Sequence, residues 1–484
     1  MRSILAVLIA LTLSVECRKE PRIVIIGAGA AGIAAASTLS RNGFTNVTIL
    51  EADGRVGGRI YSLRFGKSLI DLGAQWCHGE KNNVVYEMVR DLQVLKVDDT
   101  SPELYHSTLK RVDSKFNARL NRLFEDVYFA DNYGAEGSLG EVLTERYEAE
   151  IRKIWKNKDE LTLAEECLDL FERYVESELG SFSWSTVATS VDFEPCEGSQ
   201  VLGWNGLGFK TILGVLMRQA SGPIERNIAL NKSVSGISLE SGKVRVSCSD
   251  LSSYTADHVI WTPSLGVLKH LHANVFKPNL PKEKVRAIDT LGIDGIMKVF
   301  LHFPARWWDD NFEGVAFVWR QADLKNSSLE YPEGPKIGNR SWITTIYCTI
   351  PLQENPNVLL VWFIGPLVPE IEQLSDETIA NGAMHVMRKF LSKDYPSISH
   401  PDQITRKNWY SDPNFRGTYS FETVHSRKLG RSQAAVLAEP IRAADGKPVI
   451  MFAGEATSTN HYSTVHGAIE TGFREANRII ELYK

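Results

Sequence analysis

Hydrophobic positions in the first part of the chain form short continuous runs separated by a segment with helical spacing. Residues 22–26 contain the short apolar run Ile-Val-Ile-Ile, and an alanine-rich stretch over 33–39 follows a glycine-rich turn. A second apolar run ends at Glu51. A strand, a glycine turn, a helix and a second strand in this order form a βαβ unit. The pattern therefore predicts the start of a doubly wound parallel sheet.

The rest of the chain divides into a helical stretch, a strand-rich stretch and a short return to the first pattern. Residues 81–180 are charged and have amphipathic helical spacing. Strand patterns dominate from about 286 to 420, with one predicted helix over 376–391. A helix is also predicted from Val465. The main strands predicted after the βαβ unit cover 234–237, 244–246, 258–261, 299–303, 342–347, 358–363 and 449–452.

Composition and charge exclude several function classes. The 484 residues are 43% hydrophobic and 23% charged, as in a soluble globular protein. The net charge of −5 suits a cationic substrate, although it would suit many enzymes equally well. No Lys/Arg-rich tract is present, so we expect no nucleic-acid partner. The six cysteines lack CxxC spacing, so we expect neither a disulfide framework nor a bound metal, although one pair could bridge in an oxidising compartment.

The two ends of the chain bear on its location. Residues 1–17 combine a short basic start with an apolar run that is too short to span a bilayer. They predict a secretory signal peptide, with a disordered leader or an N-terminal anchor as the alternatives. The last four residues, 481–484, are not a peroxisomal Ser-Lys-Leu ending, and no apolar tail precedes them. We expect a secreted or secretory-pathway protein without a transmembrane anchor.

The glycine-rich turn has the spacing of a dinucleotide site. Gly27 allows the tight turn, Gly29 lets the backbone approach a pyrophosphate, and Gly32 lets helix and strand pack closely. The start of the helix, at Ala31, offers free N–H groups to the phosphates. Glu51, at the end of the second strand, is placed to accept a hydrogen bond from a ribose hydroxyl. The same carboxylate would repel the 2′-phosphate of NADP.

The segment after this unit identifies the cofactor by resemblance. Residues 51–59 read E-x-x-x-R-x-G-G-R, which after a Rossmann unit resembles the flavin amine oxidase family. That family includes monoamine, polyamine and L-amino-acid oxidases and flavin histone demethylases, all of which bind FAD. Monoamine oxidases attach the flavin through a cysteine near the C-terminus. No cysteine follows Cys348 here, so the resemblance implies non-covalent FAD.

The resemblance also implies a fold in which the chain crosses between two domains. We expect a doubly wound Rossmann-type FAD-binding domain over 21–100, 205–285 and 440–484. An α+β mixed-sheet substrate domain over 101–204 and 286–439 is interleaved with it.

The family's contacts with FAD transfer to named positions of this sequence. The segment 73–79 resembles the stretch that passes the isoalloxazine ring, and the block 452–468 resembles the one that holds the pyrophosphate and the flavin's pyrimidine edge. Donors at that edge stabilise negative charge on the reduced flavin. The expected cofactor-binding residues are Gly27, Gly29, Ala31, Gly32, Glu51, Arg59, Gly73, Ala74, Gln75, Trp76, Val234, Gly454, Glu455, Thr464 and Val465.

Three residues are the candidates for catalysis by the same resemblance. Lys298 lies in a strand that resembles the one whose lysine holds a water against flavin N5 and helps O2 reoxidise the flavin. His78 occupies the position of a histidine in animal polyamine oxidases, where a neutral imidazole could accept a proton or hydrogen bond from the substrate amine. Tyr419 would pack beside the flavin and attract a cationic amine to its ring face.

Further candidates concern the substrate. Tyr462 would complete an aromatic sandwich with Tyr419, although ordinary core packing is the alternative for both. Trp362 lies at a family position that lines the same cavity. Glu194 and Glu197 could meet a distal ammonium of a long polycation, although most surface carboxylates have no such role.

Together these features predict an FAD-dependent oxidase of polyamines, either spermine or N1-acetylated spermine and spermidine. The reaction would transfer a hydride to flavin N5, hydrolyse the imine to an aldehyde and a shorter amine, and reduce O2 to hydrogen peroxide. One alternative is a secreted L-amino-acid oxidase, for which Arg416 is the obvious carboxylate ligand. Another is a non-catalytic FAD-binding secreted protein. The sequence leaves the oligomeric state open.

Overall fold

The computed structural model describes residues 20–484, apart from residues 99, 131–135, 190–191 and 241. The signal peptide predicted over 1–17 therefore lies outside the described residues. The helices α1 to α14 of the described chain are Ala30–Arg41, Val84–Val89, Ser114–Tyr128, Leu139–Ile154, Lys158–Leu179, Thr211–Arg218, Leu265–Val275, Lys282–Thr290, Gln321–Glu330, Val368–Ile371, Asp376–Leu391, Val424–Arg427, Gln433–Ala438 and Val465–Tyr483.

The strands are short and form several sheets. In chain order, β1 to β25 of the described residues are Ile23–Ile26, Val47–Leu50, Ser62–Phe65, Ser68–Asp71, Lys96–Val97, Glu103–His106, Lys110–Arg111, Leu202–Gly203, Ile228–Ala229, Val234–Glu240, Lys243–Cys248, Ser253–Ala256, His258–Trp261, Phe276–Lys277, Gly292–Ile293, Met297–His302, Val315–Val318, Lys336–Ile337, Arg340–Ser341, Ile346–Leu352, Asn355–Phe363, Gln403–Arg406, Ser420–Phe421, Ile441–Arg442 and Pro448–Phe452.

A six-stranded sheet contains the predicted βαβ unit. Its order is β24-β25-β13-β1-β2-β9, and all of its pairings are parallel except that of β24 with β25. Every residue of β1 is buried, as expected for a parallel strand covered on both faces. The chain leaves β1 for β2 on one side, while β13 returns on the other. The turn after β1 therefore lies at a topological switch point, where ligands bind in doubly wound folds.

A seven-stranded mixed sheet forms the second large layer. Its order is β22-β16-β21-β20-β17-β6-β7, and β16 pairs antiparallel with β21 so that Lys298 lies opposite Trp362. One face packs on α3, α4 and α5, and the other packs on α11. The four-stranded sheet β12-β11-β10-β14 shares a core with one face of the six-stranded sheet.

The predicted strand over 342–347 is mostly a 3₁₀ turn, over Trp342–Thr345, and the strand begins only at Ile346. The hydroxyls of Thr344 and Thr345 donate to carbonyls three residues back, at 2.8 and 2.6 Å. Such local side-chain bonds compete with a sheet ladder. The remaining long elements agree closely with the pattern, and the helix predicted over 376–391 is α11.

The predicted fold class is confirmed, since the protein combines a doubly wound parallel sheet with a mixed sheet. Residues 23–50, 228–229, 258–261 and 441–452 supply the parallel sheet. The division into two interleaved domains at the predicted boundaries stays a proposal. None of the described helices combines the length and the apolar character needed to cross a bilayer.

Candidate active site

The turn after β1 has room for a phosphate. Gly27 has a φ of +100°, and a Cβ on Gly32 would lie 2.0 Å from the Gly27 carbonyl oxygen, so α1 packs directly on β1. A Cβ on Gly29 would have no neighbour nearer than 3.9 Å, so space is open where the helix starts. No side chain caps α1, and among the described residues nothing accepts from the amide of Ala31, which is buried. Uncapped amides at a helix N-terminus fit a pyrophosphate.

Glu51 follows β2 and lies beside this turn. Its carboxylate accepts hydrogen bonds from the amides of Ala28 (2.7 Å) and Asp53 (2.8 Å). Burial raises the pKa of Glu51, and these two donors oppose the rise. Lys232 donates its amide to the Glu51 carbonyl at 2.7 Å, and Val234 begins β10 two residues later. The predicted adenosine end of the site is thus assembled from two distant segments.

Arg59 and Glu455 tie the turn region to the C-terminal segment. Arg59 Nη1 donates to Glu455 Oε1 at 2.8 Å and to the Thr418 carbonyl at 2.7 Å. The other oxygen of Glu455 accepts from the amide of Ser463 at 2.8 Å. Gly454, with a φ of +112°, lets the chain turn sharply after β25. The predicted Gly-Glu pair therefore joins both halves of the cofactor site.

The start of α14 presents two amides without helical partners. Thr464 is the N-cap, and its hydroxyl accepts from the amide of Gly467 at 3.0 Å. Within the described residues, nothing accepts from the amides of Val465 and His466. Such donors, with the positive end of the helix dipole, suit the pyrimidine edge of a flavin.

Lys298 lies on β16 and is 5% exposed. Its Nζ donates to the carbonyls of Asp71 (2.6 Å) and Gly73 (2.7 Å) and to Gln75 Oε1 (3.0 Å). All three ammonium hydrogens therefore have acceptors. Burial lowers the pKa of Lys298, and the negative charge of Asp71 opposes this change. The Nζ atom also lies 5.5 Å from the ring of Trp362.

The segment 73–76 runs from the cofactor side to this lysine. A Cβ on Gly73 would lie 1.9 Å from the Arg59 carbonyl oxygen, to which the Ala74 amide donates at 3.1 Å. Trp76 stacks on Trp362, with ring centroids 6.0 Å apart and planes 6° apart. Close backbone packing therefore fixes the segment, and the two indoles form a flat wall beside Lys298.

His78 has a defined tautomer in its neutral form. Its Nδ1 lies 2.6 Å from the Gln200 carbonyl oxygen, which can only accept, so Nδ1 carries the hydrogen and Nε2 the lone pair. Burial lowers the pKa of His78. The imidazole therefore offers an acceptor, as the predicted role requires.

Tyr419 and Tyr462 are held by different partners. The Tyr419 hydroxyl donates to the Ser177 carbonyl at 2.5 Å, and Tyr462 packs edge-on against Phe193 at 5.4 Å. The ring of Tyr419 packs against Gly180, where a Cβ would lie 2.3 Å from its Cε2, and the predicted sandwich with Tyr462 stays untested. Burial raises the pKa of both phenols, so both are neutral.

Sequence reasoning missed Glu178, in the last turn of α5. Its side chain is exposed, yet the protein around it raises the pKa of its carboxyl by desolvation. Burial raises the pKa of Tyr128, Tyr174, Tyr347 and Tyr419, and the negative charge of Glu178 raises it further in all four. Because Glu178 is exposed and the four tyrosines are each partly exposed, we infer that these five side chains line one cavity. We call this the tyrosine cavity, lined by Glu178 and these four tyrosines.

Glu178 has no counter-charge among the described residues. No lysine, arginine or histidine of that part of the chain pairs with it, no described group donates a hydrogen bond to it, and burial is the cause of its raised pKa. Only its place at the end of an amphipathic helix was visible in the sequence, and that does not distinguish it from a surface acid. Tyr347 lies at the bulge of β20 beside Cys348, which pairs with Trp362. The tyrosine cavity therefore adjoins the wall beside Lys298.

The predicted acids Glu194 and Glu197 lie elsewhere, on an exposed loop. Glu197 forms an ion pair with Lys81 at 2.8 Å, and Glu194 accepts from the Asn460 side chain at 3.2 Å. Among the described residues, their side-chain partners are therefore groups other than Glu178 and the four tyrosines. Their predicted role in substrate binding stays untested.

Comparison with known proteins agrees with this geometry. The family of flavin-containing amine oxidoreductases matches residues 30–480. "Probable polyamine oxidase 5" of Arabidopsis thaliana is 28% identical and aligns over 96% of this chain and 99% of its own length. "Peroxisomal N(1)-acetyl-spermine/spermidine oxidase" of Homo sapiens is 28% identical, over 97% of this chain and 96% of its own. "Polyamine oxidase 1" of Oryza sativa subsp. japonica is 29% identical, over 96% and 98%.

The resemblance found in the sequence is therefore confirmed, and with it the cofactor. The open space at Gly29, the free amides at the starts of α1 and α14, and the carboxylate of Glu51 fit the phosphates, flavin edge and ribose of FAD. The chain belongs to the family of flavin-containing amine oxidoreductases and is an FAD-dependent enzyme.

Proposed function

We propose that the protein oxidises polyamines, either spermine or N1-acetylated spermine and spermidine. The products would be an aldehyde, a shorter amine and hydrogen peroxide. One observation supports this substrate class above all: no described cation pairs with Glu178, an acid whose charge acts on four neighbouring tyrosines. Relatives named for polyamine oxidation, at 28–29% identity, support it as well.

A substrate with a second positive charge would satisfy Glu178. The acid lies at the C-terminal end of α5, where the helix dipole disfavours negative charge. Burial disfavours the carboxylate further. A distal ammonium would offset both effects, and the surrounding tyrosine faces would attract the same cation. A monoamine or an amino acid has no group for this position.

The residues near Lys298 have groups that could bind the substrate nitrogen in its neutral form. When bound, FAD supplies the hydride acceptor and passes the electrons to O2. A free alkyl amine has a pKa of about 10, so the site must favour its neutral form. His78 Nε2 is an available acceptor for an N–H of that amine. Lys298 holds a buried positive charge in one fixed position, and we propose that this charge assists the reduction of O2.

The competing L-amino-acid oxidase needs an arginine at the substrate carboxylate. Arg416 was the candidate, and its backbone and Cβ pack against Gly266 at the start of α7. A Cβ on Gly266 would lie 2.0 Å from the Arg416 carbonyl oxygen. No observation places the guanidinium in the tyrosine cavity, and we therefore favour the polyamine substrate.

The experiment is peroxide release by the purified, FAD-loaded protein. Spermine, N1-acetylspermine, spermidine, a monoamine and L-leucine would be tested in parallel. Peroxide from the polyamines alone is the expected result, and their ranking would identify the substrate. Turnover of leucine would overturn the proposal in favour of an amino-acid oxidase. Flavin that no amine bleaches under anaerobic conditions would indicate a non-catalytic FAD-binding protein.

We also propose that the protein enters the secretory pathway, because residues 1–17 have the composition of a signal peptide. The human relative carries "peroxisomal" in its name, which describes that protein. Expression of the full chain in a secretory host, followed by N-terminal sequencing of the product, tests the point. Cleavage near residue 17 supports secretion, and an intact intracellular chain contradicts it.

A further inference from the structure

Three side chains with metal-binding atoms converge next to the cofactor site. Cys196 comes from the loop after α5, His461 from the loop before α14, and His466 from the first turn of α14. One ligand atom from each lies within 4.8 Å of the other two. Cys196 and His466 are 5% and 4% exposed. The proposed catalytic roles use none of these three side chains.

The spacing of the two buried ligands suits a shared ion. Cys196 Sγ and His466 Nε2 are 3.8 Å apart. Around tetrahedral zinc, with Zn–S of about 2.3 Å and Zn–N of about 2.0 Å, the sulfur and nitrogen lie about 3.5 Å apart. The same separation is long for a hydrogen bond between them. The imidazole planes of His461 and His466 cross at 65°, with centroids 4.8 Å apart.

The surroundings orient the ligands as in known metal sites. His461 Nδ1 lies 2.7 Å from Glu470 Oε2, so the carboxylate accepts its hydrogen and Nε2 is left with the lone pair. Metal-binding histidines almost always donate their second nitrogen in this way. Gly467 holds the His461 backbone against α14, since a Cβ there would lie 1.9 Å from the His461 carbonyl oxygen.

We propose that Cys196, His461 and His466 bind one zinc-type divalent cation through Sγ, Nε2 and Nε2, with water in the fourth position. Thiolate and imidazole are the ligands that such ions prefer. The ion would fasten the loop around Cys196 to the start of α14. That helix presents its free amides to the cofactor, so metal binding would also stabilise the FAD complex.

The test uses the full-length, FAD-loaded protein equilibrated with Zn²⁺ and then freed of loose metal. Zinc per flavin is measured by mass spectrometry, and the protein is also reconstituted with Co²⁺. We expect one zinc per FAD. Tetrahedral Co²⁺ should add absorption bands at wavelengths beyond those of the flavin.

Variants locate the ion. Cys196→Ser and His461→Asn should lose it, and Glu470→Gln should weaken binding about 10- to 100-fold. Cys248→Ser is the matched control, because it removes a different buried, free thiol on β11. Far-UV circular dichroism and cooperative thermal unfolding show that each variant is folded, independently of its FAD content. The proposal is overturned if the wild type binds no zinc, or if Cys196→Ser and His461→Asn bind as much zinc as the wild type. The three side chains would then form an ordinary polar contact.

Discussion

Replacing Glu178 with glutamine removes one negative charge from the tyrosine cavity and changes its shape little. A carboxylate and an ammonium about 4 Å apart attract by about 4 kcal/mol at an effective dielectric of about 20. Desolvation offsets part of this, and hydrogen bonds to charged groups contribute about 1.5–3 kcal/mol in measured cases. We expect Glu178→Gln to lose about 2 kcal/mol of spermine binding, a rise in KM of about 30-fold.

The same substitution should stabilise the protein without substrate. Glu178 lies at the negative end of the α5 dipole and has no described counter-charge. Removing such an acid gains about 0.5 kcal/mol. If Glu178 had a purely structural role, its substitution would not weaken substrate binding and stabilise the fold at the same time. Opposite signs in the two measurements are therefore the diagnostic result.

The assay compares KM and kcat for spermine and for a monoamine, together with thermal unfolding of the substrate-free enzyme. Glu165→Gln is the matched control, since Glu165 is an exposed acid on the same helix as Glu178. We expect its kinetics to stay within about twofold of the wild type, because single charges on a solvated surface contribute little. The reasoning is refuted if spermine KM is unchanged in Glu178→Gln, or if the monoamine is affected equally.

Three further predictions concern the lysine, the glycine turn and a buried histidine. Lys298→Met should bind FAD and slow reoxidation of the reduced flavin by about 100-fold, measured by stopped-flow mixing with O2; an unchanged rate removes the lysine from the mechanism. Gly32→Ala puts a Cβ 2.0 Å from the Gly27 carbonyl oxygen and should lose FAD in gel filtration, whereas Gly222→Ala, with open space around it, should retain it. His258 is fully buried with a pKa lowered to about 4. The contribution of neutral His258 to the free energy of unfolding is fully present above about pH 6.5. As the pH falls from about 6.5 to 4, this free energy decreases by up to about 3 kcal/mol. The free energy of unfolding of His258→Asn, measured with denaturant, should not decrease in this way. If its slope against pH equals that of the wild type, His258 is not the group responsible.

The fold was predictable where local pattern and tertiary structure agree. Continuous apolar runs such as β1 are buried on both faces, so the sequence alone indicates a parallel sheet. The interval 342–347 was not predictable in this way. Its apolar and β-branched residues favour a strand, yet two threonine hydroxyls close a 3₁₀ turn. That choice depends on hydrogen bonds of individual rotamers, which hydrophobic periodicity does not report.

The candidate site also combines features that the sequence predicts with features that it does not predict. The spacing of Gly27, Gly29 and Gly32 predicts their roles at a dinucleotide, and the tight turn and close helix packing at Gly27 and Gly32 are compatible with that prediction. Glu178 could not be predicted, because what sets it apart is the absence of a partner in three dimensions. The proposed metal ligands were missed for a related reason. Cys196 and His461 are far apart in sequence, and motif spacing detects only ligands that lie close together along the chain.

Hydrogen-bond satisfaction distinguishes the groups that await a ligand from those that hold the structure. Buried polar groups in native proteins are almost always paired, so the exceptions carry information. Lys298 has acceptors for all three of its hydrogens. By contrast, the amides of Ala31, Val465 and His466 have no partner among the described residues. Glu178 has none either, and although it is exposed, the protein around it raises the pKa of its carboxyl. The amides require an anion and an electron-rich ring edge, and the acid requires a cation. A dinucleotide flavin together with a polycationic substrate supplies all three, whereas a flavin with a singly charged amine would leave Glu178 unpaired.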